Sequence, residues 1–319
     1  VTPDETAPAT DETPTEPMSL ADIEAARRQQ AQLTSPEEDG TRQIGQDYQP
    51  ALTLRRSAQG FAAAALRDIG RVRESNQDCA LAMIMTLPRE GSDVPVGLFI
   101  VADGMGGHHG GEVASRLAVQ TVLTSVLERL VLPLIEDGLN DALQPLMIEA
   151  VQEANAAIWR ESQALGSDMG TTCTAALVIG HGLYVAHVGD SRCYVYEPGG
   201  LRQLTTDHST VGRLIALGQL DPDEARDHPL RNQLYRTVGQ QPQIAVDFVY
   251  HQLNNCSHIV LCSDGLWSLV DERAIEQALQ HSPWPQDVCR ELIALANLAG
   301  GDDNISAVVV SLPLDEGQR

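Results

Sequence analysis

Residues 171–198 read TTCTAALVIGHGLYVAHVGDSRCYVYEP. Three apolar runs of strand length, TTCTAALVI, GLYVAHVG and RCYVYEP, follow one another closely, with GH-G and PGG as turns. Strands joined this tightly pair as antiparallel neighbours, because a parallel pair needs a crossover of a dozen or more residues. Upstream, FAAAALRDIG reads as a strand entering a turn, and CALAMIM and VGLFIVAD are apolar strand-length runs. EVASRLAVQTVLTSVLERL and much of DALQPLMIEAVQEANAAIWRESQAL have helical period. Downstream lies a polar, irregular stretch from Asp207 to about Gly239. SHIVLCSDG then reads as a strand, DERAIEQALQ and PQDVCRELIALANLAG as helices, and NISAVVVSL as a closing strand. Strands in hairpins and helices in sequential pairs predict an α+β fold: two packed antiparallel β-sheets flanked by pairs of α-helices.

The N-terminal segment differs. VTPDETAPATDETPTEP is rich in Pro, Thr and acid and offers little to bury, so residues 1–53 are expected to be a disordered tail or linker. Ser19 could cap a short helix within it. Residues 54–315 are expected to form one globular domain. The chain begins with Val1 rather than Met, which leaves an upstream domain open.

The chain of 319 residues carries a formal charge of −23, so nucleic-acid and membrane-surface binding are disfavoured. No lysine occurs; all 21 basic residues are arginine. That excludes the usual P-loop NTPases, protein kinases and Schiff-base enzymes, each of which places a lysine against its substrate. The six cysteines form no C-x-x-C pair and none is followed by a C-x5-R loop, so a structural zinc site of that kind and a cysteine phosphatase are not expected. They read as reduced, buried thiols of a cytoplasmic protein. No stretch reads as a transmembrane span and no signal peptide is seen.

Carboxylates recur where strands begin or end. Asp103 and Gly104 follow FIVA; a carboxylate beside an exposed backbone carbonyl suits Mg²⁺ or Mn²⁺. Asp264 and Gly265 repeat this after HIVLC. Asp302 and Asp303 precede ISAVVVSL, Asp190 follows LYVAHVG, and Asp78 precedes CALAMIM. Any one could be a turn residue. Together they could converge on one rim and hold a two-metal site for displacement at phosphorus. Arg73, five residues before Asp78, could bring a guanidinium fork to a phosphate; Arg71 reads as a solvated strand-edge charge.

The strings RESNQD (73–78), VADGMGGHHGGEVAS (101–115), GTTCTAAL (170–177), VAHVGDSRCYVY (185–196), LCSDGLW (261–267) and DDNISAVVV (302–310) resemble, in order and spacing, the metal-dependent protein phosphatases called PPM, or type 2C, and their bacterial branch most. The resemblance implies a serine/threonine protein phosphatase with two Mn²⁺ or Mg²⁺ ions and a third, weaker one. Asp78, Asp103, Gly104 through its carbonyl, Asp264 and Asp303 would form the two-metal centre. Asp190 and Asp264 would hold the third ion, Arg73 would bind phosphate, and residues 207–238 would be a flap. The implied reaction is attack by a metal-bridging hydroxide without a phosphoenzyme. Implied partners are phosphorylated proteins, a Ser/Thr kinase or its substrates, met by a cytoplasmic monomer. Two departures stand out: Gln77 replaces a frequent Glu, and Met105 occupies the place of a candidate histidine acid, for which His108 is an unsupported substitute. A catalytically inactive phosphatase fold serving as a binding or scaffold protein is the alternative, and it predicts loss of metal aspartates, none of which is lost.

Overall fold

The computed structural model describes residues 60–87, 93–107, 109–135, 142–221, 228–231 and 233–313. The tail with its Ser19 helix, the proposed start at Leu54, and His108 lie outside the described residues.

Eleven strands make two antiparallel sheets among the described residues. The first contains β1 (Ala62–Asp68), β7 (Arg192–Glu197), β8 (Gly200–Gln203), β10 (His258–Cys262) and β11 (Ile305–Ser311), ordered β1-β11-β10-β7-β8. The second contains β2 (Asp78–Leu87), β3 (Val94–Met105), β5 (Cys173–Ile179), β6 (Gly182–Val188) and β9 (Asp247–Gln252), in chain order, with β4 (Gly170–Thr171) paired to β3.

The apolar runs read as strands because both faces of each are covered, and alternate residues serve different cores. Along β3, Leu98, Ile100 and Ala102 face helices α1 (Gly110–Val126) and α2 (Leu143–Leu165). Phe99 and Val101 point the other way, into the layer between the sheets. Along β11, Val308 and Val310 enter that middle layer. Ile305, Ala307 and Val309 meet the helices α4 (Glu272–His281) and α5 (Pro285–Leu298). The expected sandwich with a helix pair on each outer face is therefore what forms.

Three expectations need correction. The stretch after Asp207 is not irregular throughout: α3 (Thr210–Ala216) forms there because the Ser209 side chain accepts from the Gly212 N–H. Strands β8 and β9 were hidden in the sequence because both are half-exposed edge strands without a continuous apolar run. The helical run Gly110–Ile135, 26 residues including a π turn at Leu127–Val131, is long and apolar enough to cross a membrane by length and composition. Here one face of it lies in the core through Ala114, Ala118, Val122 and Val126, at the four-residue spacing of one side of a core helix.

Phe99 is fully buried between the sheets, with its ring edge-on to Phe61 at 6.2 Å. Phe99→Ala should cost about 3–5 kcal/mol, read as a lower urea midpoint at unchanged slope. A cost below about 1 kcal/mol would show that the middle layer does not hold the sheets together.

Candidate active site

Strand register brings the aspartates together. Asp78 and Asp103 are direct cross-strand partners at one end of β2 and β3, so their side chains share a face. On the other sheet, β10 ends at Cys262 beside the start of β11, with Cys262 opposite Ala307. Asp264 and Asp303 therefore emerge together, at the same rim of the sandwich. Asp103 and Asp264 approach within hydrogen-bonding reach of each other across the two sheets.

Two bonds fasten the sheets at this point. Ser263 Oγ donates to Asp78 Oδ2 at 2.8 Å, and the Gln77 N–H donates to Asn304 Oδ1 at 2.8 Å. Asn304 is buried, and its amide also donates to the carbonyls of Ile69 and Ser75, both at 2.9 Å. It thus pins both ends of the loop that carries Arg73. The Arg73 guanidinium donates to Asp303 Oδ2 at 2.7 Å while remaining 53% exposed, so it is tethered at the rim yet open to an incoming anion.

Asp190 is held by a separate set. Asp103 N–H donates to Thr172 Oγ1 at 2.9 Å, and Thr172 N–H returns a bond to the Asp103 carbonyl at 2.8 Å. Thr172 Oγ1 lies 2.7 Å from Ser191 Oγ, and Thr174 Oγ1 donates to the Ser191 carbonyl. On the other side, Gly189 N–H donates to His208 Nδ1 at 3.0 Å. His208 therefore carries its proton on Nε2, which faces Asp247 at 3.1 Å. Gly189 has φ +112, and a Cβ there would lie 2.6 Å from Thr172 Cβ. Gly104 is tighter still: a Cβ would lie 2.1 Å from the Gly111 carbonyl oxygen, so α1 approaches the Asp103 turn only because that position is glycine.

The electrostatics are unfavourable to the bare cluster. Burial pushes Asp78 up to about 7, against the Ser306 and Ser263 hydroxyls, whose proximity works to lower it. Asp103 is raised well above the ordinary range by burial and then by the charges of Asp78, Asp264 and Asp190. Asp190 and Asp264 are raised likewise, burial leading and a neighbouring carboxylate following. Asp78 Oδ1 and Asp264 Oδ1 are buried without a hydrogen-bond partner among the described residues. Buried acceptors without donors, on carboxylates that disfavour one another's charge, fit hard divalent cations with oxygen ligands. His187 and His208, 4.8 Å apart, are held neutral mainly by burial and so do not offer a proton at neutral pH.

Asp78, Asp103, Asp190, Asp264 and Asp303, with Gly104 and Arg73, come to this rim; Asp302 and Arg71 are exposed. Asn304, Ser263 and Thr172 were missed as contributors. Each lies inside a quoted motif, but a hydrogen bond to a residue far along the chain leaves no local pattern.

A family model described as Protein phosphatase 2C matches residues 75–294. The serine/threonine phosphatase stp of Listeria monocytogenes is 34% identical over 254 residues, covering 79% of this chain and 96% of its own. The crystal structure of the Mycobacterium tuberculosis serine/threonine phosphatase PstP/Ppp superposes with a TM-score of 0.67 at 32% identity, covering 79% of this chain and 98% of that one. The catalytic domain of PstP in complex with two manganese ions gives 0.65 at 31% identity, covering 80% and 99%.

The raised carboxylates predict a stability profile for chelator-treated protein. Between Asp78's ordinary value near 3.8 and its folded value of about 7, the folded state keeps a proton that the unfolded chain has lost. Stability must fall as pH rises through that window. Below it both states are protonated and the effect vanishes. Asp78→Asn removes this contribution, so its Tm relative to wild type should climb from about pH 4 to about pH 7. A constant difference across the window would contradict the assignment.

Proposed function

The chain belongs to the protein phosphatase 2C family, and on that premise we propose that it hydrolyses phosphoserine and phosphothreonine in phosphorylated proteins with two divalent cations at the carboxylate rim. Asp78, Asp103, the Gly104 carbonyl, Asp264 and Asp303 would hold them, with Asp190 and Asp264 serving a third. Manganese is supported by the relative bound to two such ions, and oxygen-only donors suit magnesium as well. When bound, such a pair supplies an acidified water and positive charge for the phosphoryl oxygens.

The observation that carries this reading is the pair of donorless buried oxygens, Asp78 Oδ1 and Asp264 Oδ1, contributed by opposite sheets. A scaffold would have no reason to keep them, since filling the rim with neutral groups would remove the burial and repulsion costs.

The chain's own residues divide the work. Arg73, tethered to Asp303, binds and orients the phosphoryl group, and its planar fork can meet two oxygens at once. Charge that gathers on those oxygens during transfer then meets a fixed cation. The Asn304 bonds to Ile69 and Ser75 keep that arginine from wandering. Met105 carries no proton to give, and burial holds His187 and His208 neutral, so none of these three acts as general acid toward the leaving oxygen.

Asp264→Asn should abolish Mn²⁺-dependent hydrolysis of a phosphothreonine peptide; near-normal turnover would sink the assignment. Arg73→Ala removes a charged hydrogen-bond donor worth about 1.5–3 kcal/mol. It should therefore lower kcat/KM by about 10- to 150-fold. An unchanged kcat/KM would move phosphate binding to another group.

A further inference from the structure

At the opposite end of β7 from Asp190, roughly 20 Å along the strand by its rise per residue, three side chains of different chemistry converge. They are Glu197 at the end of β7, His251 in β9, and Cys256 in the turn that leads to β10. Glu197 belongs to the first sheet and His251 to the second, so the cluster spans the sandwich. Cys256 is 2% exposed, and it follows Asn255, the one non-glycine residue with positive φ among those described (φ 68). The turn is closed by the Cys256 N–H donating to the Leu253 carbonyl at 3.2 Å.

The three facing atoms form a nearly equilateral triangle. Cys256 Sγ lies 3.8 Å from Glu197 Oε2 and 3.6 Å from His251 Nε2. The third edge, His251 Nε2 to Glu197 Oε2, is 3.6 Å. The thiol edges are those of weak sulfur hydrogen bonds, and the nitrogen–oxygen edge is longer than a normal hydrogen bond. Tetrahedral zinc, with Zn–S about 2.3 Å and Zn–N or Zn–O about 2.0–2.1 Å, sets sulfur about 3.5 Å from nitrogen or oxygen, and nitrogen about 3.3 Å from oxygen. The observed triangle meets all three edges to within about 0.3 Å without moving an element. We propose that Glu197, His251 and Cys256 form a binding site for a single zinc ion, with a fourth position left to solvent.

The surroundings agree with this. Arg202 Nε donates to Glu197 Oε1 at 2.7 Å, which leaves Oε2 for the ion and orients the carboxylate from outside. Arg202 Nη2 is 3.3 Å from both ring nitrogens of His251. It shares these contacts equally and lies off the lone-pair axis of either nitrogen, so an ion at Nε2 displaces only a poorly aligned bond. Burial, followed by the charge of Arg202, lowers the His251 pKa and favours the neutral, ligating imidazole. One thiolate and one carboxylate offset the charge of a divalent ion; burial, then the Glu197 charge, pushes the Cys256 thiol up to about 11, so its proton leaves to solvent only as the Zn–S bond forms. A thiolate and an imidazole select zinc over the magnesium or manganese suited to the carboxylate rim. The two sites therefore differ in metal as well as in place.

Co²⁺ titration of the chelator-treated full chain tests this, because only a thiolate ligand gives an intense sulfur-to-cobalt charge-transfer band. One equivalent should produce the band and one equivalent of Zn²⁺ should abolish it. Asp264→Asn should keep it, which separates this site from the rim. Cys256→Ser should lose it and weaken Zn²⁺ binding by more than the about 10- to 100-fold that loss of an outer partner costs. Glu197→Gln and His251→Gln, on side chains that keep some contact with solvent, provide a second route if Cys256→Ser does not fold. Each should weaken Zn²⁺ binding, and unaltered affinity in both overturns the site. Absence of the band in wild type, or its survival in folded Cys256→Ser, overturns it as well.

Discussion

Mutual repulsion among carboxylates at one rim is the constraint around which the rest is arranged. Burial raises the affinity of Asp78, Asp103, Asp190 and Asp264 for protons, and the charges of neighbouring carboxylates raise it further. An uncompensated cluster of this kind pushes its own supports apart. Each support is correspondingly redundant: a β-ladder pairs Asp78 with Asp103, and Ser263 ties Asp78 to the opposite sheet. Thr172 and Ser191 link Asp103 to the Asp190 turn. The rigidity that resists repulsion is the same rigidity that presents preformed oxygens to a cation, so stability and binding pull against each other at this rim.

Much of the fold was legible because the interior strands are covered on both sides. VGLFIVAD and ISAVVVSL have no polar alternation to disguise, and short links such as GH-G leave antiparallel pairing as the available arrangement. What could not be read were elements with one wet side or one turn of length. DFVYHQ, which forms β9, mixes exposed and half-buried residues, and its place beside β6 is decided by that neighbour. The helix after Ser209 depends on a cap that competes with many similar Ser and Thr positions nearby.

The rim was legible as a set of aspartates, because strand ends followed by glycine leave a visible punctuation. Its scaffolding was not. Asn304 acts on Ile69 and Ser75, more than two hundred positions earlier, through amide geometry that no spacing rule encodes. The Glu197, His251 and Cys256 cluster shows the same limit from the other side. Each residue sits alone in its own segment, no paired-cysteine signature marks them, and only the packing of two sheets brings them within reach.

Strand β11 comes after all the other described strands in sequence, yet it lies between β1 and β10 rather than at an edge. A nascent chain lacking it would have two unsatisfied strands flanking an open slot, and neither Asp303 nor Asn304 would yet be at the rim. The ribosome must therefore deliver the chain through β11 before the carboxylates have a common address. Until then the chain needs shielding from partners that could fill the slot. Such an order of assembly withholds the chemistry from any translation product that stops short of β11.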